Sequence, residues 1–157
     1  MKLLVDTSVW SLALRRKDVA TLSEKEQELK SQLTQAIQDG RVVMIGPIRQ
    51  ELLSGIKEQA QFDKVKGALD PFVDEHIDTA DYEHAARLYN TCRSQGIEAG
   101  PVDMLICTVA VRRNWQVLAS DEGLNRCLKF ALTLQQKSQR STASEKQRSR
   151  PTLTKPK

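Results

Sequence analysis

Several features are missing from this chain, and each omission narrows its class. No apolar run approaches the roughly 18 residues that a membrane-crossing helix needs, so no helical membrane span is expected. The N-terminus has one Lys and a short apolar run broken at Asp6, not the apolar stretch and cleavage site of a signal peptide, and a cytoplasmic location is the default expectation. Cysteine is scarce. Cys92, Cys107 and Cys127 are far apart, form no CxxC and are odd in number, which argues against a disulfide framework. Buried, reduced thiols are the expected state. The two histidines, His76 and His84, fall far from any cysteine pair with metal-ligand spacing, so a soft metal site has no donors. No internal repeat is present.

Basic charge is also absent from most of the chain, although the net charge is +4. From Lys137 onward lie seven of the 24 Lys and Arg residues and one of the 20 acids, so that segment carries +6. The rest holds 17 basic and 19 acidic residues and carries −2. A mildly acidic body does not bind nucleic acid by charge alone, but it suits clustered carboxylates. At 157 residues the chain has length for one domain with a sizeable core.

Apolar runs and helical spacings alternate. Residues 2–6 read as a buried strand, and 23–39 as a helix with a capping box at Ser23 and Glu26 and a stop at Asp39-Gly40. Residues 41–46 read as a strand and 47–59 as a helix with Pro47 in its first turn and a stripe of Ile48, Leu52 and Ile56. A helix over 60–70, a weak strand over 72–77 and a helix over 78–96 follow. In this last helix Tyr82, Ala85, Ala86, Tyr89 and Cys92 are expected to share a face. The segment from Gly100 to about Arg113 reads as an apolar helix, 115–120 as a buried strand, and 130–136 as a last strand. The pattern predicts an α/β fold, a three-layer α/β/α sandwich around a parallel sheet, over residues 1–136. Residues 137–157 form a basic polar tail, too poor in apolar residues to offset the entropy of ordering, and are expected to be disordered.

Four acids stand out by position. Asp6 ends the first strand, Asp121 follows the 115–120 strand, and Glu51 and Asp103 lie near the starts of their helices. Strand C-termini and helix N-termini meet at the same edge of a parallel sheet, where ligands bind. Each acid alone has a plain explanation: the helix dipole favours Glu51 or Asp103 by up to about 1 kcal/mol, and Asp121 can cap the next helix. Together they make a set of hard oxygen donors. Like charges about 4 Å apart repel by about 4 kcal/mol at an effective dielectric near 20, and a divalent cation relieves that repulsion. Oxygen-only donors favour Mg2+ or Mn2+, which take few direct carboxylates and keep waters. Such a site suits phosphodiester hydrolysis. Thr7 and Ser120 are placed to orient neighbouring carboxylates, with helix capping an equal role for Ser120.

In order and spacing, LLVDTSVW, DGRVVMIGPIRQELLSGIK, GPVDMLICTVAVRRN and QVLASDEGLNR resemble the PIN-domain nucleases, and among them the VapC-type toxins of toxin–antitoxin pairs. The resemblance covers residues 1 to about 136. It implies the α/β/α sandwich, Mg2+- or Mn2+-dependent cleavage of RNA, a homodimer and inhibition by a cognate antitoxin. By resemblance Asp6 and Asp103 are the principal metal ligands, Glu51 and Asp121 the remaining acids, and Thr7 the hydroxyl beside the first Asp. Relatives often carry a second acid and an aromatic after the residue matching Asp121, where this chain has Gly123 and Leu124.

Three rival readings stand beside this one. An aspartyl-nucleophile phosphatase also opens on a strand ending in Asp, but it needs a second Asp where Ser8 stands. A catalytically silent RNA-binding module of the same fold and a structure-specific DNA nuclease are not separated from an endoribonuclease by the acids alone. For phosphate contacts the candidates are Arg15, Arg16, Lys17, Arg49 and the pair Arg112-Arg113, each of which can equally be a solvated surface charge.

Overall fold

The computed structural model describes residues 1–15 and 19–149. Strand β1 (Leu3–Val5) is central, paired in parallel with β2 (Val42–Val43) on one side and β3 (Gln116–Leu118) on the other. Leu4 faces Val43 and Val117 across the two ladders. A central parallel strand is covered on both faces, and this explains why Leu3, Leu4 and Val5 form an unbroken apolar run, all three buried.

Helices α1 (Thr7–Leu14), α2 (Glu24–Gln38), α3 (Gly46–Leu53) and α4 (Gln59–Leu69) pack among themselves. Helices α5 (Thr79–Ser94), α6 (Pro101–Arg113) and α7 (Glu122–Arg148) form a second packed group. With the sheet they complete the expected three-layer α/β/α arrangement. Helix α6 is buried on every side from Met104 to Ala110, as an all-apolar helix must be. Trp10 of α1 meets Phe72 edge to face at 5.2 Å and anchors the first group. All three cysteines are free and buried, and desolvation pushes the Cys92 thiol up to about 12, so it stays protonated. Among the described residues no helix is long and apolar enough to cross a membrane.

Local signals fix most element ends. The Ser23–Glu26 capping box is formed, with Glu26 N donating to Ser23 Oγ at 3.2 Å. Gly40 takes a φ of 65° beyond the Asp39 cap, a left-handed turn that glycine enters without a Cβ penalty. The 47–59 helix is shorter than its spacing suggested. It stops at Leu53, Gly55 turns left-handed at φ 83°, and Ile56 reaches the core from outside the helix.

Two expected strands change character. Residues 72–77 supply only a bridge between Asp74 and Met44. Residues 130–136 are helical, part of α7, with Ala131 buried and Gln135 Nε2 bonded to the Val111 carbonyl at 3.3 Å. Short apolar alternation fits either period, and the helix capped at Asp121 decides it. The same helix continues over 137–148, where composition alone predicts disorder. Its first turns are held by packing, and extending a nucleated helix costs little per residue through Lys, Gln, Arg, Ala and Glu and only somewhat more through Ser138, Ser141, Thr142 and Ser144. On α5 the expected apolar face also splits. Ala85 and Cys92 are buried, whereas Tyr82 and Ala86 lie on the exposed side.

Candidate active site

Strands β1 and β3 end side by side, and the chain turns there into two helices. Asp6 leaves β1 and caps α1, and Asp121 follows β3 and caps α7. Two hydrogen bonds stitch these exits together: Asp6 N donates to the Leu118 carbonyl at 2.9 Å, and Ser120 N donates to Ser8 Oγ at 3.2 Å. Asp103 sits in the first turn of α6 beside Gly100, and Glu51 lies on the second turn of α3, one turn deeper than expected.

Each of the three aspartates spends one oxygen on the backbone that positions it. Asp6 Oδ2 accepts from Ser8 N at 3.2 Å and Ser8 Oγ at 2.6 Å. Asp103 Oδ2 accepts from Gly100 N at 3.0 Å, and Asp121 Oδ1 from Leu124 N at 2.8 Å. The other oxygen of each carboxylate takes no hydrogen bond from any described residue. Among the described residues no Lys or Arg is ion-paired to Asp6, Glu51, Asp103 or Asp121. The capping role that could explain Asp121 alone is therefore real, yet it leaves half the carboxylate free.

The four acids act on one another. Burial pushes the Glu51 carboxyl above its ordinary range, the Asp6 charge adds to that, the Thr7 hydroxyl partly opposes it, and Asp103 raises it further. Burial likewise raises Asp103, the Gly100 N–H partly offsets this, and the Asp6 and Asp121 charges raise it again. Thr7 Oγ1 is buried and makes no fully formed hydrogen bond, so its donor faces Glu51 with capacity to spare. The sequence did not point to Ser8 as part of this site. Its signal was the Asp-x-Ser spacing, which places a hydroxyl in the first turn of the helix that Asp6 caps.

Among the described residues no three His, Cys, Asp or Glu side chains are gathered tightly enough to cage a metal ion. Mg2+ requires no such cage, because it keeps several waters and takes one or two carboxylates directly. The donor set fits it: oxygens only, none paired with a Lys or Arg among the described residues, and each aspartate with an oxygen to offer. Gly123 stands where a second acid is common in resembling chains. A Cβ there would lie 3.1 Å from both Asp121 Oδ1 and the Glu98 carbonyl, so the tight approach of α7 leaves no easy room for a side chain.

The basic candidates fare differently. Arg49 is occupied by the protein: its Nε donates to Asp74 Oδ1 at 2.9 Å, and its two other nitrogens donate to the Leu69 and Phe72 carbonyls. Arg112 donates to buried Asp81 at 2.7 Å, and Arg113 to Asp81 and the His76 carbonyl. The guanidinium groups of these arginines tie loops and helix ends together. Arg15 closes α1 and is exposed. Arg16 and Lys17 lie outside the described residues.

The cost of ionising Asp103 has a testable sign. Burial, with the Asp6 and Asp121 charges adding to it, raises its pKa in the folded chain, so its ionisation lowers stability as pH rises past the ordinary carboxylate range. Asp103→Asn keeps an oxygen for Gly100 N and removes that charge. Its melting temperature in chelator at pH 7 is expected to rise by about 2–4 °C, what about 1 kcal/mol gives a domain of this size. The gain should vanish near pH 3, where the wild-type group is protonated. An unchanged or lower melting temperature at pH 7 would contradict a net cost of ionising Asp103 in the folded chain.

Residues 3–127 match the model of the PIN domain family. No curated protein matches the chain.

Proposed function

The chain belongs to the PIN-domain family, whose members are generally nucleases, and from that premise we propose that it is a divalent-metal-dependent endoribonuclease, the toxin of a VapBC-type toxin–antitoxin pair. The observation that carries the metal-dependent reading is that Asp6 and Asp121, capping the helices at the exits of β1 and β3, lie close enough for their charges to act on Asp103 of α6, as those of Asp6 and Asp103 act on Glu51 of α3, with no Lys or Arg paired to any of the four among the described residues. The free oxygens of Asp6 and Asp103 would hold Mg2+ or Mn2+ directly, and Glu51 and Asp121 directly or through water. When bound, the ion supplies a hydroxide near neutral pH and stabilises the charge on the leaving oxygen. Ser8 holds Asp6 and Gly100 N holds Asp103 by hydrogen bonds, and the Thr7 hydroxyl lies beside Glu51. The RNA preference and the toxin role are supported by the ordered resemblance of four segments to VapC-type toxins. That resemblance also implies a homodimer and a cognate antitoxin. The buried, free thiols suit the reducing cytoplasm.

The test is digestion of matched RNA and DNA strands by the purified chain with Mg2+, Mn2+ or chelator. Internal cleavage of RNA only with metal is expected. Cleavage of DNA alone would overturn the RNA assignment, and binding without cleavage would leave a silent RNA-binding module. An antitoxin gene beside this one is expected, and co-expression of its product should suppress cleavage.

A further inference from the structure

Helix α7 runs well past the matched family region, from its cap at Asp121 in the acid site to Arg148. Its inner face buries Leu124, Cys127 and Ala131, and from Gln136 onward every described side chain is exposed. On the other side Arg126, Lys129, Lys137, Arg140 and Arg148 recur at spacings of 3, 8, 3 and 8, all exposed. At 3.6 residues per turn those spacings fall within an arc of about 100° and a length of about 33 Å. The arc lies roughly opposite the buried face. Apart from a loose Arg126–Glu122 contact at 3.8 Å, none of the five is in an ion pair with a described residue. The extension beyond Gln136 has no apolar stripe for a protein partner to cover. The body, at −2, offers a polyanion no overall attraction.

We propose that this outer stripe of α7 is a phosphate track, binding the RNA strand that flanks the bond positioned at the acids. It rests on the RNA reading above and adds to it where the substrate's backbone runs: outward from Asp121 along Arg126, Lys129, Lys137, Arg140 and Arg148. The helix has one further cation, Lys146, about half a turn away from the stripe, and it provides the internal control.

The test uses the full chain carrying Asp6→Asn to stop turnover, with a fluorescent single-stranded RNA of about 20 nucleotides, titrated from 50 to 200 mM salt. Adding K137Q, R140Q and R148Q is expected to weaken binding at least tenfold at low salt. It should also cut the slope of log affinity against log salt by about 2, since each lost contact on a single strand contributes about 0.7. Adding K146Q instead should leave the slope unchanged. An unchanged slope in the triple variant overturns the track, and so does a K146Q effect as large per charge, which would make net charge the cause. A shift in oligomeric state of the triple variant before RNA is added would assign the stripe to contacts between copies, and would also overturn it. Metal-dependent cleavage of the same RNA by the unmodified chain tests the nuclease reading separately. Its failure with the slope effect intact would sink the catalytic reading alone.

Discussion

Replacing Asp6 by Asn is expected to lower RNA cleavage about a thousandfold or more, equivalent to about 4 kcal/mol of lost transition-state stabilisation. Asn keeps a carbonyl oxygen for Ser8 and therefore the cap of α1, but it removes the negative charge from the free oxygen. The fold should survive, because the change also removes a like charge from the neighbourhood of Glu51 and Asp103. Ser8→Ala acts one step back: the carboxylate stays, its 2.6 Å hydroxyl bond goes, and a loss of about tenfold to a hundredfold is expected. Single-turnover cleavage rates, with melting curves as the folding control, measure both. If Asp6→Asn retained a tenth of wild-type activity, Asp6 would not be a metal-holding acid.

The second large effect concerns stability and lies far from the acids. Asp81 is 2% exposed and receives three donors: Arg112 at 2.7 Å, Arg113 at 2.8 Å and Asp78 N at 3.0 Å. It binds the start of α5 to the end of α6, and α6 carries Asp103 at its other end. Asp81→Ala is expected to cost about 3 kcal/mol, and about 10 °C in melting temperature. The value sits at the low end for a broken buried pair because Arg112 and Arg113 keep 36% and 25% of their side-chain surface in water. Urea denaturation read against wild type measures it, and a loss below about 1 kcal/mol would show that water replaces the carboxylate without penalty. Asp81→Asn should fall between, since it can still accept but no longer neutralises the two cations.

Much of this molecule follows from local rules. Leu3 to Val5 read as a covered parallel strand because the apolar run is short and ends at once in Asp6, whereas a buried helix such as α6 keeps its apolar run going over Met104 to Ala110. The capping box at Ser23, the Gly-Pro start of α6 and the Asn114 turn that ends it are decided within a few residues of themselves. The positions of three of the four acids were legible for the same reason: Asp6 and Asp121 follow strands and Asp103 opens a helix, whereas Glu51 lies a turn deeper in α3.

The tertiary structure decided what depends on partners distant in sequence. Arg49 and Arg112 pair with Asp74 and Asp81, 25 and 31 residues away, and no local pattern announces those partners. Residues 130–136 alternate like a strand, yet they continue the helix capped at Asp121, and its buried side takes Ala131. Ser8 became part of the site only when β1 and β3 ended together and Ser120 N reached its hydroxyl. Hydrogen-bond satisfaction is short-ranged in space but blind to sequence separation. The chain alone therefore determined which residues carry charge and where its elements begin, and the packed structure determined which of those charges remain free to act.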